Sequence, residues 1–536
     1  MAGEWDYIVV GAGSSGCVMA ERLSASGRHR VLVLEAGGES GFWNRVPKGV
    51  AKLVTNPDKI WAYKVTQPRI PEGEASEFWI RGKGVGGSSS VNGMIWSRGE
   101  DEDYDAWERD HGATGWNAAA MLGAFKRLED HADGPTDRLG SGGRVHVEPE
   151  IFTYPLAEDM IAAGESLQLS RVRELNARPG ARVGYYSHNI RKGKRESAAQ
   201  TFLHPARKRD NVTVATGARA QRITFDGRRA NGIEVAVDGE LRHFACAGEV
   251  IVCAGAIESP LLLQRSGIGD ATMLQERGVA PLVDNPHVGQ HLNEHLSLSM
   301  PYRRDRGKGT NRHFYGTGAA LAMARYLLTG GGIMATGPFE VGAFLNVHHP
   351  DGRTDAQFYL GGYTFEVGDE NNPVPLDKID RRPGLTIYGS LLRLTSEGSI
   401  AIGGPDLDDA PEITPNFLST EHDRASAIAM VRKMRAFVDA PPLGDKVGEE
   451  MLPGREVDSD EDILAFFRRY SSCGLHGIGT CRMGSGDHTV VDPDPRVRGV
   501  EGVRVVDCSV IPGHVTGNTN APAMALGLLA AERMGA

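Results

Sequence analysis

The sequence has few cysteines and no long apolar run. Its six cysteines, at positions 17, 246, 253, 473, 481 and 508, show no CxxC spacing, which argues against a disulfide framework and against a zinc site. No segment reaches the ~18 apolar residues of a membrane-spanning helix, and the first residues leave no room for a secretory signal. We therefore expect a cytoplasmic protein with reduced thiols, no transmembrane segment and no metal.

Positive charge is also scarce. The 536 residues include 59 Lys and Arg against 69 Asp and Glu, a formal net charge of −10, without an extended basic face. Because nucleic-acid binding needs a basic surface, nucleic acid is excluded as a partner. Glycine is abundant instead, with 69 residues, and this indicates tight turns or a backbone that approaches a large ligand closely. The length predicts more than one domain.

The clearest motif lies at the amino terminus. A buried strand predicted over 7–10 leads into GAGSSG at 11–16 and a helix-forming segment, and a second strand over 31–34 ends at Glu35. This βαβ pattern is typical of dinucleotide binding, because the glycines allow a tight turn, close approach to a pyrophosphate and close helix packing. The pattern does not distinguish NAD from FAD. The cofactor-binding residues that it predicts are Gly11, Gly13, Ser14, Ser15, Gly16, Glu35 and Ala36.

A second glycine-rich stretch spans 78–98 and reads FWIRGKGVGGSSSVNGMIWSR. So many glycines and serines argue against a regular strand or helix. We expect a loop whose backbone lies against a flat or anionic group. A flexible surface linker is a poor alternative, because tryptophan, valine and methionine bracket the stretch.

Near the carboxyl terminus, Asp507 follows a strand predicted over 503–506, at the end where open α/β sheets bind ligands. Asn520 is a predicted N-cap with Pro522 just inside the helix, so that the positive end of the helix would lie beside Asn518. In addition, a helix is predicted over 259–264, with Pro260 at its first position.

His476 stands among glycines 474, 477 and 479, which is unusual for a packed core histidine and favours one that reaches a ligand. A lone histidine is nevertheless more often only hydrogen-bonded in place. Nothing in the local sequence marks His295, His488 or His514 as a ligand, and no HxH or HExxH spacing supports a metal site.

Taken together, these motifs resemble the glucose–methanol–choline (GMC) family of flavin oxidoreductases over nearly the whole chain. Residues 82–92 look like its first signature, residues 255–269 look like its second, and 476–480 with 518–520 are similar to its paired catalytic positions. The resemblance implies an α/β protein with a Rossmann-like FAD-binding domain assembled from 1–155, 195–300 and 490–536. It also implies a substrate-binding domain over 156–194 and 301–489, whose antiparallel or mixed sheet covers the flavin.

The resemblance implies that His476 is the general base and that Asn518 is its partner in the oxidation of an alcohol to a carbonyl by hydride transfer to FAD. Val91 occupies the position at which some members attach FAD through histidine, so the resemblance implies noncovalent FAD. The further cofactor-binding residues that it implies are Val85, Gly87, Ser88, Asn92, Gly93, Met94, Ala220, Asp507, Cys508, Asn518, Thr519 and Asn520.

The substrate is specified less well. A primary alcohol of aromatic or medium aliphatic type is preferred, with oxygen or another electron acceptor. An apolar pocket or the ordinary core would accommodate Met94, Trp96, Phe339, Tyr359, Tyr363 and Phe365 equally well. Glu340 would suit a cationic substrate, which keeps choline open. The sequence also leaves open a non-redox hydroxynitrile lyase on the same fold, a non-catalytic FAD-binding protein and an NAD-dependent dehydrogenase.

Overall fold

The computed structural model describes residues 4–66, 77–305, 307, 309–349, 351–368 and 378–536. In these ranges, seven strands form the sheet that contains the amino-terminal motif, with parallel pairing at its centre and an antiparallel extension at one edge. Its order is Val212–Thr216, Val31–Glu35, Trp5–Val10, Glu240–Val252, Arg229–Val237 and Ala218–Asp226, and Val503–Val505 pairs in parallel with Glu240–Val252.

The parallel centre of this sheet is covered by helices. The strand Val31–Glu35 is buried throughout, as expected for a β-branched and leucine-rich run between two strands. The helix Ser14–Leu23 packs against the carboxyl-terminal helix Asn520–Arg533. They approach so closely that a Cβ atom at Gly527 would lie 2.9 Å from the carbonyl oxygen of Ser15. At the amino termini of the two helices, the Ser14 hydroxyl donates to the side chain of Asn520.

A second, largely antiparallel sheet forms its own apolar core. In the described residues it has eight strands, which are Val447–Glu450, Leu296–Arg304, Gly384–Leu391, Ala356–Gly361, Val341–Leu345, Arg182–Tyr185 and Ser170–Arg171, with Ser472–Cys473 pairing at Leu296–Arg304. This α/β architecture with two sheets confirms the predicted fold class. The predicted domain boundary at residue 300 falls inside the strand Leu296–Arg304.

The remaining elements surround the two sheets. Short two-stranded sheets pair Ile60–Val65 with Glu77–Gly82, Glu129–His131 with Val145–Val147, Ile190–Arg191 with Lys194–Arg195, Ile268–Gly269 with Val283–Asp284, and Ser399–Ala401 with Glu412–Thr414. The other α-helices are Phe42–Arg45, Val50–Leu53, Asp101–His111, Ala118–Leu128, Pro155–Ser166, His204–Ala206, Gly255–Arg265, Ala271–Glu276, Gly316–Thr329, Glu421–Asp439 and Asp460–Tyr470, and Ala199–Leu203 forms a π-helix.

The helix predicted over 259–264 is longer than expected, because it spans Gly255–Arg265 and contains Pro260 in its interior. A proline has no N–H to donate to the carbonyl four residues earlier, which here belongs to Ala256. The hydroxyl of Thr480 donates to that carbonyl at 2.7 Å. This long-range hydrogen bond offsets the loss and ties the helix to the segment that carries His476.

Two other local predictions were wrong. Residues 78–82 were predicted to be part of a loop but belong to the strand Glu77–Gly82, because Ile60–Val65 pairs with this strand along its whole length. Asn520 was predicted as the N-cap of the last helix. The N-cap is Thr519, and Asn520 is the first residue of the helix.

The six cysteines all lie in the described ranges and are free thiols. Within the same ranges, every helix is too short or too polar to cross a membrane.

Candidate active site

The amino-terminal glycines form an open end of the helix Ser14–Leu23. Gly11 has φ +101°, and a Cβ atom there would lie 2.5 Å from the Cys253 carbonyl oxygen. A Cβ atom at Gly16 would lie 2.0 Å from the carbonyl oxygen of Gly11. At Gly13, by contrast, a Cβ would meet only the Cys253 oxygen at 3.8 Å. No side chain caps the helix. Its first N–H groups are therefore available to an anion that approaches over Gly13.

Glu35 lies at the end of the second strand and joins this turn to the second glycine-rich stretch. Its carboxylate accepts the backbone N–H of Ala12 at 3.0 Å, of Gly37 at 2.8 Å and of Gly84 at 3.0 Å. The side chain is thereby fixed at the wall of the cavity, where the lone pair that remains on Oε2 would accept a ribose hydroxyl group.

The second glycine-rich stretch packs directly on the first. A Cβ atom at Gly87 would lie 2.8 Å from the Cα of Gly13. Asn92 accepts the N–H of Met94 at 3.0 Å and the guanidinium of Arg195 at 2.7 Å, and this holds Met94 at φ +61°. The two motifs, about seventy residues apart in sequence, thus form one continuous wall.

Asp507 connects the strand Val503–Val505 to the helix Gly255–Arg265. One carboxylate oxygen accepts the Gly255 N–H at 2.9 Å and the Ser259 hydroxyl at 2.6 Å, and the other accepts the Ser509 N–H at 2.8 Å. Nearby, the Ser14 hydroxyl donates to Asn520 at 2.8 Å, so that the first and last helices share a polar contact.

These walls enclose a cavity of about 900 Å³, near the upper end of the roughly 300–1,000 Å³ of ligand sites. Most of the predicted cofactor-binding residues line it, namely Gly11, Gly13, Ser14, Ser15, Glu35, Ala36, Gly87, Ser88, Asn92, Gly93, Met94, Ala220, Asp507, Cys508, Asn518, Thr519 and Asn520. Gly16 and Val85 do not. Gly16 lies under the turn, and the Val85 side chain belongs to the apolar core.

The residues present fit FAD. The uncapped helix end, the space over Gly13 and the fixed carboxylate of Glu35 suit a pyrophosphate and a ribose. Asn520 lines the same cavity with a buried Nδ2 atom that has no hydrogen-bond partner within the protein. A buried amide of this kind is costly unless a bound group accepts its hydrogen bond.

His476 and Asn518 meet at the far end of this cavity. The His476 Nε2 atom lies 3.0 Å from Asn518 Nδ2. The backbone N–H of His476 donates to Glu294 at 2.6 Å, and the preceding Leu475 has φ +64°. Burial lowers the pKa of His476 to about 3, and the positive charge of Arg81 adds to the effect. The imidazole is therefore neutral at physiological pH and can accept a proton.

The larger sheet orients Asn518. Its carboxamide oxygen accepts the Gln357 side-chain N–H at 3.1 Å, and its Nδ2 donates to the Tyr359 hydroxyl at 3.2 Å. The Tyr359 hydroxyl in turn donates to Gln357 at 2.9 Å. Because Gln357 and Tyr359 are both on the strand Ala356–Gly361, one element of the second sheet sets the direction of the amide.

Two groups that the sequence did not single out lie behind the pair. His295 Nδ1 is 3.0 Å from His476 Nδ1. Glu294 accepts the His295 N–H at 2.9 Å and an Arg81 N–H at 3.2 Å. Burial raises the pKa of the Glu294 carboxyl to about 7, against the opposing charge of Arg81. No motif marks these residues, and only the structure brings them to His476.

The cavity lining is also rich in aromatic side chains. It includes the predicted pocket residues Met94, Phe339, Tyr359 and Phe365 together with Tyr388 and Tyr470. The other two predicted pocket residues do not line the cavity. The Trp96 indole donates to Glu129 at 2.6 Å, and the Tyr363 hydroxyl donates to the Pro338 carbonyl at 2.7 Å.

Glu340, the candidate partner of a cationic substrate, does not line the cavity either. Its carboxylate is paired with Lys48 at 2.8 Å and accepts the Tyr154 hydroxyl at 3.1 Å. Lys48 and Glu340 are both almost fully buried. The negative charge of Glu340 is thus already compensated within the protein.

Comparison with known proteins gives consistent matches. Family models described as GMC oxidoreductase match residues 5–297 and 395–527. The chain is 35% identical to an alcohol dehydrogenase (acceptor) of Pseudomonas putida, with 98% of this chain and 95% of the relative covered. It is 33% identical to an oxygen-dependent choline dehydrogenase of Ectopseudomonas mendocina (strain ymp), with 100% and 94% covered. The crystal structure of pyridoxine 4-oxidase from Mesorbium loti matches with a TM-score of 0.88, 29% identity and 99% of each chain covered.

Proposed function

Because the chain belongs to the GMC oxidoreductase family, we propose that His476 and Asn518 are the catalytic pair with which it oxidises an alcohol to a carbonyl compound. The chain is an FAD-dependent enzyme that acts on alcohols. The observation that carries the assignment of the pair is the 3.0 Å between His476 Nε2 and Asn518 Nδ2. A single alcohol oxygen placed beside both atoms would donate its proton to one and accept a hydrogen bond from the other.

His476 and Asn518 have different roles in the reaction. The alcohol hydroxyl donates to the lone pair on His476 Nε2, which takes the proton, while Asn518 Nδ2 donates to the oxygen and holds it as charge develops. FAD, when bound, accepts the hydride that leaves the alcohol carbon. Since a misplacement of about 1 Å costs on the order of 100-fold in rate, the fixed direction of the Asn518 amide matters.

The cofactor would occupy the length of the cavity. The amides at the start of the helix Ser14–Leu23 would hold the pyrophosphate, Glu35 and Ala36 the ribose, and the backbone at Ala220 the adenine. The segment from Ser88 to Met94 and the first turn of the carboxyl-terminal helix would hold the ring. Positive charge at that helix end would stabilise the reduced cofactor.

Noncovalent binding of FAD is supported by Val91. This residue lines the cavity at the position where some family members carry the attaching histidine, and its hydrocarbon side chain has no atom that could form the bond. Acid precipitation of the holoenzyme should therefore release all of the yellow colour into the supernatant. Flavin that stays with the precipitate would contradict noncovalent binding.

The preferred substrate is a primary alcohol of aromatic or medium aliphatic type. The support is the set of aromatic side chains opposite His476, above all Phe339, Tyr359 and Tyr388, which offer an apolar surface that a hydrocarbon group can cover. Choline remains the second candidate because of the choline dehydrogenase relative. The pairing of Glu340 with Lys48 removes one acid that would have attracted a cation.

A panel of alcohols, each tested with oxygen and with an artificial dye as acceptor, tests the substrate and the acceptor together. We expect benzyl-type and medium-chain primary alcohols to bleach the flavin under anaerobic conditions more efficiently than choline. Efficient bleaching by choline alone would overturn the substrate assignment. A flavin that no alcohol bleaches would contradict alcohol oxidation and favour a hydroxynitrile lyase or a non-catalytic FAD-binding protein.

The domain division and the location are also proposals. We assign 1–155, 195–295 and 490–536 to the FAD-binding domain, with the boundary moved ahead of Leu296 so that the strand Leu296–Arg304 stays with its sheet, and 156–194 with 296–489 to the substrate-binding domain. A cytoplasmic location is supported by the six free thiols. Cell fractionation tests it.

A further inference from the structure

A second buried imidazole lies directly behind His476. His295 is 4% exposed, and its ring meets that of His476 edge to face, with centroids 5.0 Å apart. The two Nδ1 atoms are 3.0 Å apart, which is a hydrogen-bond distance. Two ring nitrogens can form a hydrogen bond only if one of them carries a proton and the other does not. The contact therefore couples the tautomers of the two rings.

The opposite side of His476 decides which ring donates. The carboxamide oxygen of Asn518 accepts from Gln357, so its NH₂ group faces His476 Nε2 at 3.0 Å. The Gln357 amide is itself oriented by the hydroxyls of Tyr186 and Tyr359. An N–H that points at Nε2 needs a lone pair there. Asn518 thus favours a His476 ring with its lone pair on Nε2. Because a neutral imidazole has a single N–H, the proton lies on His476 Nδ1, and the Nδ1 of His295 accepts it.

Burial and nearby positive charge keep both rings neutral. Burial lowers the pKa of His295 well below its usual value, and the positive charge of Arg393 lowers it further. Arg81 acts in the same direction on the pKa of His476. The acid beside them, Glu294, reaches their backbone N–H groups.

We propose that His295 is a positioning residue, which holds His476 in the tautomer that presents the Nε2 lone pair to the alcohol. The inference deepens the proposed function and depends on the role of His476 as base. When Nε2 takes the alcohol proton, the Nδ1–H of His476 stays hydrogen-bonded to His295, and the new positive charge is stabilised. Without this acceptor, His476 is free to carry its proton on Nε2, where it cannot serve as a base.

A structural role alone is the competing explanation, because the His295 carbonyl also accepts the Gly474 N–H at 2.7 Å and so supports the turn before His476. Two variants separate the explanations. His295→Asn places an amide oxygen near the position of Nδ1 and retains the acceptor, whereas His295→Leu has a similar size and lacks it. Both variants keep the backbone carbonyl.

The direct test is nitrogen NMR of the FAD-loaded enzyme labelled with ¹⁵N-histidine, with the His476 signals assigned by their loss in His476→Gln. We expect His476 to show a protonated Nδ1 and an unprotonated Nε2 in the wild-type enzyme and in His295→Asn, and to shift to Nε2–H in His295→Leu. A wild-type His476 with its proton on Nε2 would overturn the proposal, and this result needs no His295 variant.

Anaerobic flavin reduction by an alcohol provides the second readout. We expect His295→Leu to retain FAD but to reduce it about 10- to 100-fold more slowly, which reaches only the lower end of the roughly 10²–10⁴-fold that general-base catalysis contributes. We expect His295→Asn to recover most of the rate. Equal slowing in both variants would leave only the structural role. Failure of the proposed function would appear differently. The flavin of His476→Gln would then be reduced at the normal rate, while the NMR spectrum of the wild-type enzyme would still show the proton of His476 on Nδ1.

Discussion

His476 Nε2 lies 3.0 Å from Asn518 Nδ2, although 42 positions separate the two residues in the chain. His476 follows a strand of the larger sheet, and Asn518 precedes the helix that covers the smaller one. The contact therefore forms only where the two halves of the fold meet. This position explains how one cavity contains both a nucleotide-binding turn and an aromatic wall.

The glycine turn predicts opposite effects of two similar substitutions. In Gly13→Ala the new methyl group meets only one atom of the protein, at 3.8 Å, but occupies space over the helix end. We expect unchanged stability of the cofactor-free protein and weaker FAD binding. In Gly16→Ala the methyl would lie 2.0 Å from a backbone oxygen, which should lower the free energy of unfolding by about 1–3 kcal/mol.

Thermal unfolding of the cofactor-free proteins and titration with FAD check these two variants. Gly38→Ala is the matched control, since nothing lies within 4 Å of its added Cβ atom and its backbone φ is not positive. Unchanged FAD affinity in Gly13→Ala would show that the pyrophosphate does not lie over this turn.

Glu294 predicts the pH dependence of flavin reduction. Its carboxyl pKa is raised to about 7, so that it is neutral below this pH and negative above it. The negative form stabilises the positive charge that His476 gains with the alcohol proton. The reduction rate should therefore rise with pH through about 7 and then become constant. The rise should be smaller than tenfold per pH unit, which is the slope expected if Glu294 had to be deprotonated for the reaction to occur.

Glu294→Gln keeps the hydrogen-bond acceptor but removes the charge. We expect its reduction rate to vary little between about pH 6 and about pH 8, at or below the low-pH rate of the wild type. Stopped-flow reduction at constant ionic strength measures both enzymes. An unchanged pH profile in Glu294→Gln would assign the titration to another group.

The buried pair of Lys48 and Glu340 predicts a stability effect. Burial lowers the pKa of Lys48, and the charge of Glu340 opposes this. Lys48→Met leaves the Glu340 carboxylate buried without its cation, which should cost about 3–5 kcal/mol of unfolding free energy. The double variant Lys48→Met with Glu340→Gln should cost less than Lys48→Met alone. Denaturant unfolding at a fixed FAD concentration measures the free energy of unfolding of each protein. Equal losses of stability in the single and the double variant would contradict an energetic coupling between Lys48 and Glu340.

The local parts of the site were predictable from the sequence. The turn at Gly11 and the acid at Glu35 depend on spacing within one βαβ unit, where φ angles and close packing restrict the residue types. The extent of the helix containing Pro260 was not predictable in this way. The hydroxyl that satisfies its freed carbonyl comes from Thr480, 224 positions away.

Residues that act through distant partners were missed for the same reason. His295 lies 181 positions from His476, and its own sequence neighbourhood contains no signal of a ligand. Glu340 was considered as a residue that binds a cationic substrate. The sequence could not show that its charge is already paired with Lys48, which is 292 positions away. The catalytic pair itself was predicted through family resemblance, since local sequence only made His476 unusual.

The most direct test of the account is anaerobic stopped-flow reduction of the FAD-loaded wild-type enzyme and of His476→Ala by a primary alcohol, with the exposed His488→Ala as control. We predict that all three proteins bind FAD, that the wild type and His488→Ala are reduced at similar rates, and that His476→Ala is reduced about 10²–10⁴-fold more slowly. Reduction of FAD-loaded His476→Ala at the wild-type rate would contradict the assignment of His476 as the base.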